Sequence, residues 1–393
     1  MTSDAKWGAG AAVWLLSIGQ TLIYAGVYYA FPALLPDLQA ATGWSVAQLA
    51  LGPSLGFLIM AMLTPFTGRW VDRGYGGEML TCAPVVAALG MAGLAFAPTP
   101  AAWLLAWAVI GVAQAGCLYE TCFAFVTRRL GGGARAAITR VTLVAGFAGT
   151  LAFPLGDVLG RLLGGQWALL VFAALILAGA VPVNALAVRA LRRGQRLGQA
   201  RPIPEPGALH QALRQPMFWA VSAMFALVML NHGILLTYVL LLFEQRGASP
   251  AAATMAAACI GPAQVLGRLA LLIGAARVNN RRATLWSFGA VVAAGALLTV
   301  AGAAPGLVFA VAGLQGAGLG LVSILRPVLV ADKLGHRGFG TISGAVAVAP
   351  ILSAAAAPTV GAALLGLGGA GLIYAACLAM AMAALAIALW VVR

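Results

Sequence analysis

The stretch GRWVDRGYGGEML, Gly68 to Leu80, carries two of the nine acidic residues of a 393-residue chain, and two arginines, within eleven positions. Charge is scarce everywhere else. Only 8% of residues are charged, 62% are hydrophobic and fifty are glycine, a balance far from that of soluble domains. Long apolar runs flank the stretch on both sides, so it reads as a short polar loop between two segments built for lipid.

Working outward, apolar runs of about 20 residues or more, each able to cross a hydrocarbon core of roughly 30 Å, recur almost from end to end. Twelve are counted, at 10–35, 44–67, 79–97, 101–127, 136–163, 167–189, 215–242, 249–275, 283–302, 306–331, 338–364 and 368–392. All are expected to be helices, because a spanning segment must satisfy its own backbone hydrogen bonds and no alternating strand pattern appears. Positive charge orients them. With the amino terminus inside, nineteen of the 23 Lys and Arg fall in cytoplasmic loops, tails or helix ends, which predicts both termini in the cytoplasm. The net charge of +14 is then an orientation signal with anionic headgroups as its neighbour, and no nucleic-acid partner is implied. The first span is too long for the apolar core of a cleavable leader.

The longest polar segment, around 190–214, divides the chain into two six-span halves, 1–189 and 215–393. The halves echo each other. GPSLGFL from Gly52 in the second span pairs with GPAQVLGRL from Gly261 in the eighth, and the fourth span pairs with the tenth; internal repeats of this kind are common in transporters. Cys82, Cys117, Cys122, Cys259 and Cys377 all fall inside spans and form no CxxC, so neither a disulfide framework nor a zinc site is suggested. No phosphate-cradling GxxxxGK[ST] occurs, so no nucleotide cofactor is expected. HExxH and paired catalytic carboxylates are also missing, and an enzyme is not expected.

The opening stretch resembles the loop signature of the major facilitator superfamily: a glycine, an Asp–Arg pair beginning four residues later and a further glycine, between the second and third spans. Gly68, Asp72, Arg73 and Gly74 carry the match. Gly76, Gly77 and Glu78 stand where basic residues are usual. The resemblance implies an all-α integral membrane fold of twelve transmembrane helices in two pseudo-symmetric halves. It also implies that Asp72 and Arg73 are gating residues that cap helix ends and latch the cytoplasmic side. The bland alternative is that Arg69 and Arg73 only anchor the loop to headgroups. The GRL of Gly267 to Leu269 and the TRRLGGGARAAIT that begins at Thr127 look most like the monocarboxylate and oxalate–formate branches. The acidic-Gly element that opens the first span in animal monocarboxylate carriers is absent here.

A transporter's working residues should be the polar groups it keeps inside the membrane against a penalty. Glu120 in the fourth span, Arg268 in the eighth and Arg326 in the tenth fall about six to eight residues from the cytoplasmic ends of their spans. That puts them roughly 9 to 12 Å deep, in one layer. A guanidinium stays charged when buried and offers a planar fork to a carboxylate, so Arg326 and Arg268, with Gln264 one turn away, are candidate substrate-binding residues. Glu120 is the candidate proton-coupling group, and either Arg140 or Arg326 can be its partner. Gln20, Tyr24 and Tyr28 recur every fourth residue along the first span. Asn231 and His232 sit together in the seventh. Tyr24, Tyr28, Asn231 and His232 complete the binding set, each with packing as its rival role. Asp157 and Arg161 read as a local pair.

These readings predict a secondary transporter that moves a small organic anion, a mono- or dicarboxylate, across a bacterial inner membrane by alternating access, with proton coupling through Glu120. The alternative is a proton-coupled exporter of a drug or metabolite in which the arginines only gate. Expected partners are the small-molecule substrate and membrane lipid. The chain is expected to act as a monomer, with no metal.

Overall fold

The computed structural model describes residues 3–193, 207–274 and 277–393, and every regular element among them is helical. In chain order the α-helices are α1 Ser3–Tyr24, α2 Ala30–Thr42, α3 Val46–Trp70, α4 Gly76–Ala95, α5 Pro100–Cys117, α6 Tyr119–Leu130, α7 Ala134–Ala145 and α8 Ala148–Leu163. They continue with α9 Gly165–Leu175, α10 Val181–Arg193, α11 Ala208–Leu213, α12 Pro216–Glu244, α13 Pro250–Ile273, α14 Asn280–Val300, α15 Leu307–Leu334 and α16 Phe339–Val391. Local chemistry sets many of their starts. Ser45 and Gln48 form a capping box at α3, Thr99 and Ser249 cap α5 and α13 ahead of a proline at the first turn, and Asn279 caps α14.

Nine helical stretches among the described residues are long and apolar enough to cross a membrane. Three of them, Gln48–Ala95, Pro100–Leu163 and Phe339–Val391, have 48, 64 and 53 residues. At about 1.5 Å per residue each exceeds twice the roughly 30 Å core. Each therefore doubles back and holds two spans, which gives the twelve expected. The reversals fall at Gly74, whose φ of 97° suits glycine, at the 3₁₀ turn Gly131–Gly133, and at Gly368–Gly369, where Gly369 has φ 64°.

The chain divides into two compact units. Unit one is Met1–Pro206 with Arg337–Ala345, and unit two is Gly207–His336 with Val346–Arg393. Of the expected connection 190–214, residues 194–206 lie outside the described residues; the short α11 follows. Inside unit one, α5 packs against both α3 and α4, and inside unit two α15 packs against both α13 and α14, the same arrangement six spans later. Small residues let these backbones meet. A Cβ on Gly111 would stand 2.5 Å from the Gly56 carbonyl oxygen, one on Gly267 2.5 Å from that of Ala317, and one on Gly320 2.3 Å from that of Gln264.

Four spans that the sequence reads as unbroken helices are interrupted. The first and sixth contain π-helical turns, Ala25–Tyr29 and Ile176–Ala180, each just ahead of a proline, Pro32 and Pro182. A proline ring clashes with the carbonyl four residues back, here those of Tyr28 and Ala178, and widening the helix relieves the clash. The fifth span is interrupted at Gly146–Phe147. The fourth breaks at Leu118, which is extended (φ −80°, ψ −170°) between α5 and α6.

Candidate functional site

The loop that opened the sequence reading is held from two directions within unit one. Asp72 accepts three hydrogen bonds at 2.8 Å: the Gly340 N–H on Oδ1, and the Thr341 N–H and hydroxyl on Oδ2. Those N–H groups belong to the first turn of α16, which has no partners for them within its own helix, so a carboxylate there meets both the orphan donors and the positive end of the helix dipole. Arg128 at the end of α6 donates to the Val71 carbonyl at 2.7 Å and to that of Asp72. Gly68 has a different task from Asp72. A Cβ there would stand 2.0 Å from the Gly340 oxygen, so its missing side chain lets α3 touch the start of α16. Glu78, standing where a basic residue is usual, forms an ion pair with Arg192 of α10. Arg73 is exposed and has no carboxylate partner among the described residues.

Deeper in unit one, the break at Leu118 releases carbonyls that a continuous helix would use. The Thr121 hydroxyl donates to the Ala115 oxygen at 2.8 Å, and the Gln20 amide of α1 donates to the Cys117 oxygen at 2.8 Å. Gln114 in turn donates to the Val27 oxygen inside the π-helical turn of the first span, at 3.0 Å. Each irregular backbone is thus satisfied by a side chain of its neighbour, as membrane depth requires. Glu120 is half-buried in the first turn of α6, just past the break. Beside it the Tyr24 and Tyr119 rings meet at 4.4 Å, Tyr119 stacks on Phe123 at 4.7 Å, and Tyr28 lies 5.8 Å from Tyr24 and 5.5 Å from Phe57. Tyr119 is the chain neighbour of Glu120, which puts this aromatic cluster at its side. Structure therefore brings Glu120, Tyr24 and Tyr28 into one neighbourhood and adds Tyr119 and Gln114, which the sequence reading does not single out although both are polar groups within a span. Asp157 and Arg161 form the local ion pair expected of them.

In unit two, Arg268 is buried, 7% exposed, and its Nε donates to the Gly320 carbonyl of α15 at 3.0 Å. It sits where Gly267 and Gly320 bring α13 and α15 together. Gln264 is half-buried one turn before it. Arg326 is half-buried six residues beyond Gly320, about 9 Å along α15, and directly precedes Pro327, which removes a backbone donor from that turn. Both ends of the Asn231 amide are engaged: Nδ2 donates to the Cys377 oxygen at 2.8 Å, and Oδ1 accepts from Gln315 Nε2 at 3.0 Å. The same Gln315 nitrogen lies 3.5 Å from Nδ1 of His232. Asn231 thereby ties α12 to α15 and to the last span. Gln315 is a further residue absent from the sequence reading, detectable only as another amide inside an apolar run. Among the described residues no three His, Cys, Asp or Glu side chains cluster as a metal ion would need.

Comparison with known proteins places this geometry. The human organic anion transporter MFSD10 (TETRAN) superposes with a TM-score of 0.71 over 97% of this chain and 99% of its own, at 18% identity. FucP in the outward conformation gives 0.72 over 96% and 98% at 14% identity, and a second structure of this E. coli fucose:proton symporter gives 0.67 over the same shares. At such identities the likeness is one of fold. No curated protein matches the sequence. The sequence profile of the Major Facilitator Superfamily matches residues 16–349, the greater part of the chain, and with the loop of Gly68 to Gly74 and the twelve spans in hand, this protein belongs to the Major Facilitator Superfamily of membrane transporters.

Proposed function

We propose that this transporter moves a small organic anion, a mono- or dicarboxylate, across a bacterial inner membrane by alternating access, with both termini cytoplasmic and the chain acting as a monomer. Within the superfamily we place it with the monocarboxylate and oxalate–formate carriers, on the GRL of Gly267 to Leu269 and the TRRLGGGARAAIT from Thr127. The observation that carries the reading is the pair of guanidiniums kept within the membrane-spanning part of unit two, Arg268 and Arg326. A buried arginine is retained against a large desolvation penalty and supplies a fixed positive charge and a planar donor fork. Arg326 and Arg268 are assigned the contacts to the anion, with Gln264, Asn231 and His232 on the same unit. In unit one, Glu120 is the group whose protonation couples to transport, set among Tyr24, Tyr28 and Tyr119. Asp72, with Gly68, Arg73 and Gly74, gates by holding the start of α16. That one fold neighbour is an organic anion transporter agrees with this substrate class, and that another is a sugar:proton symporter agrees with proton coupling.

The test is a thermal-shift screen of the purified protein against a panel of mono- and dicarboxylates, with neutral sugars and lipophilic cations as controls. A ligand at about 100 times its Kd stabilises the folded state by about 2.7 kcal/mol. Stabilisation by carboxylates alone is expected. Stabilisation by lipophilic cations and by no anion would favour the drug or metabolite exporter instead.

A further inference from the structure

A cavity of about 550 Å³ opens on unit one between α3 and α4, within the range of roughly 300 to 1,000 Å³ usual for small-molecule sites. Its walls are Leu63, Phe66 and Trp70 on one side and Met79, Cys82 and Val86 on the other, and its floor is Val112, Ala113 and Gly116 of α5. The groove exists because α3 and α4 each pack on α5, so α5 lies between them. Gly116 supports that placement, since a Cβ on it would meet the Ala83 methyl at 2.8 Å. Along α4 the lining runs from Glu78 to Val86, about 12 Å of helix, which is most of one leaflet's share of the hydrocarbon core. Phe66, Trp70, Tyr75, Cys82, Val86 and Val112 are all exposed in the chain itself, and in membrane-spanning helices the medium they meet is lipid.

Chemistry at the loop end is of the opposite kind. Arg73 and Tyr75 close the groove there, and the Arg69 guanidinium lies 5.3 Å from the centre of the Phe66 ring. Glu78, the one acidic group on the rim, is already neutralised by Arg192. What remains is an exposed positive charge beside Trp70 and Tyr75, the aromatic types that settle at headgroup level, above a slot lined almost wholly by apolar side chains. We infer that the groove seats an acyl chain of one anionic glycerophospholipid, its phosphate held by Arg73 with Arg69 alongside. On the positive-inside reading the lipid comes from the cytoplasmic leaflet. Its headgroup then lies next to Asp72, the residue that caps α16, so occupancy of the groove stiffens the loop that Asp72 belongs to.

Native mass spectrometry of the full-length protein, released from detergent with added phosphatidylglycerol or phosphatidylcholine of identical acyl chains, tests this. A single phosphatidylglycerol should be retained about fivefold more than phosphatidylcholine, the preference one surface arginine confers. Arg73→Gln, a change at an exposed site, should lower retention of phosphatidylglycerol toward the phosphatidylcholine level. Val86→Trp, which fills the slot from its lipid-facing wall, should remove the bound lipid of either kind. Equal retention of the two lipids, or a preference unchanged in Arg73→Gln, would overturn the assignment. So would loss of a dimer signal rather than a lipid in Val86→Trp, because the occupant would then be a second copy of the chain.

Discussion

At the scale of single residues, Gly68 and Asp72 act on the same segment, Gly340 and Thr341, by different physics, and substitution separates them. Gly68→Ala would put a methyl 2.0 Å from the Gly340 carbonyl oxygen, a backbone atom with no rotamer to yield. The two segments must part, which should lower stability by about 2 kcal/mol or more on the overpacking scale, read as a drop in melting temperature in detergent. Asp72→Asn keeps the shape. One of its two carboxylate oxygens becomes an NH₂ that cannot accept, so an N–H of the first turn loses its partner along with the charge–dipole attraction, together about 1 to 2 kcal/mol. On the proposed gating role this variant moves substrate slowly while its equilibrium affinity stays within a few-fold, because a latch changes conformational populations rather than ligand contacts. Loss of binding in Asp72→Asn would place the residue in the site itself.

At the scale of elements, the broken fourth span depends on distant partners. Gln20 is fully buried and gives the Cys117 carbonyl its hydrogen bond, yet its own Oε1 has no partner among the described residues. Gln20→Leu orphans a carbonyl, at about 1 to 3 kcal/mol, but also removes an orphan oxygen, so a net loss near 1 kcal/mol is expected in a denaturation series. An unchanged midpoint would mean that the break needs no support from α1. The same contact explains what was legible in the sequence. Span positions, the reversal at Gly74 and the capped starts at Ser45, Thr99 and Asn279 rest on hydropathy and local chemistry, which a single sequence displays. The interruption at Leu118 does not. AGCLYETC contains no proline, and the partners of the break are Thr121 nearby and Gln20, 97 residues away from Cys117. Prolines Pro32 and Pro182 did mark the π-helical turns, through clashes that hydropathy cannot register. Of the candidate site, the buried charges stand out because apolar surroundings make each conspicuous, whereas Gln315 and Gln114 matter through contacts to Asn231 and Val27 that no spacing along the chain reveals.

For the whole molecule, the proposed mechanism divides two tasks between two charges, and variants of Arg326 and Glu120 test that division. Arg326→Lys preserves the positive charge but replaces a planar five-donor fork with a point charge that hydrates more strongly. If Arg326 holds a carboxylate through two parallel hydrogen bonds, affinity falls at least tenfold, about 1.4 kcal/mol. Arg268→Lys should have a milder effect on affinity, since that side chain is spent partly on the Gly320 carbonyl, and a larger one on stability. Glu120→Gln removes a titratable group from the neighbourhood of Tyr24 and Tyr119 while keeping its size. Exchange of labelled for unlabelled substrate across proteoliposomes requires no net proton movement and should survive, whereas accumulation driven by a pH gradient should disappear. Retention of gradient-driven accumulation would remove Glu120 from the coupling role and leave it a structural pair of Arg140 or Arg326. An Arg326→Lys protein that binds and moves every tested anion like its parent would leave the exporter reading as the better account, because the membrane would then be holding that arginine for a gate.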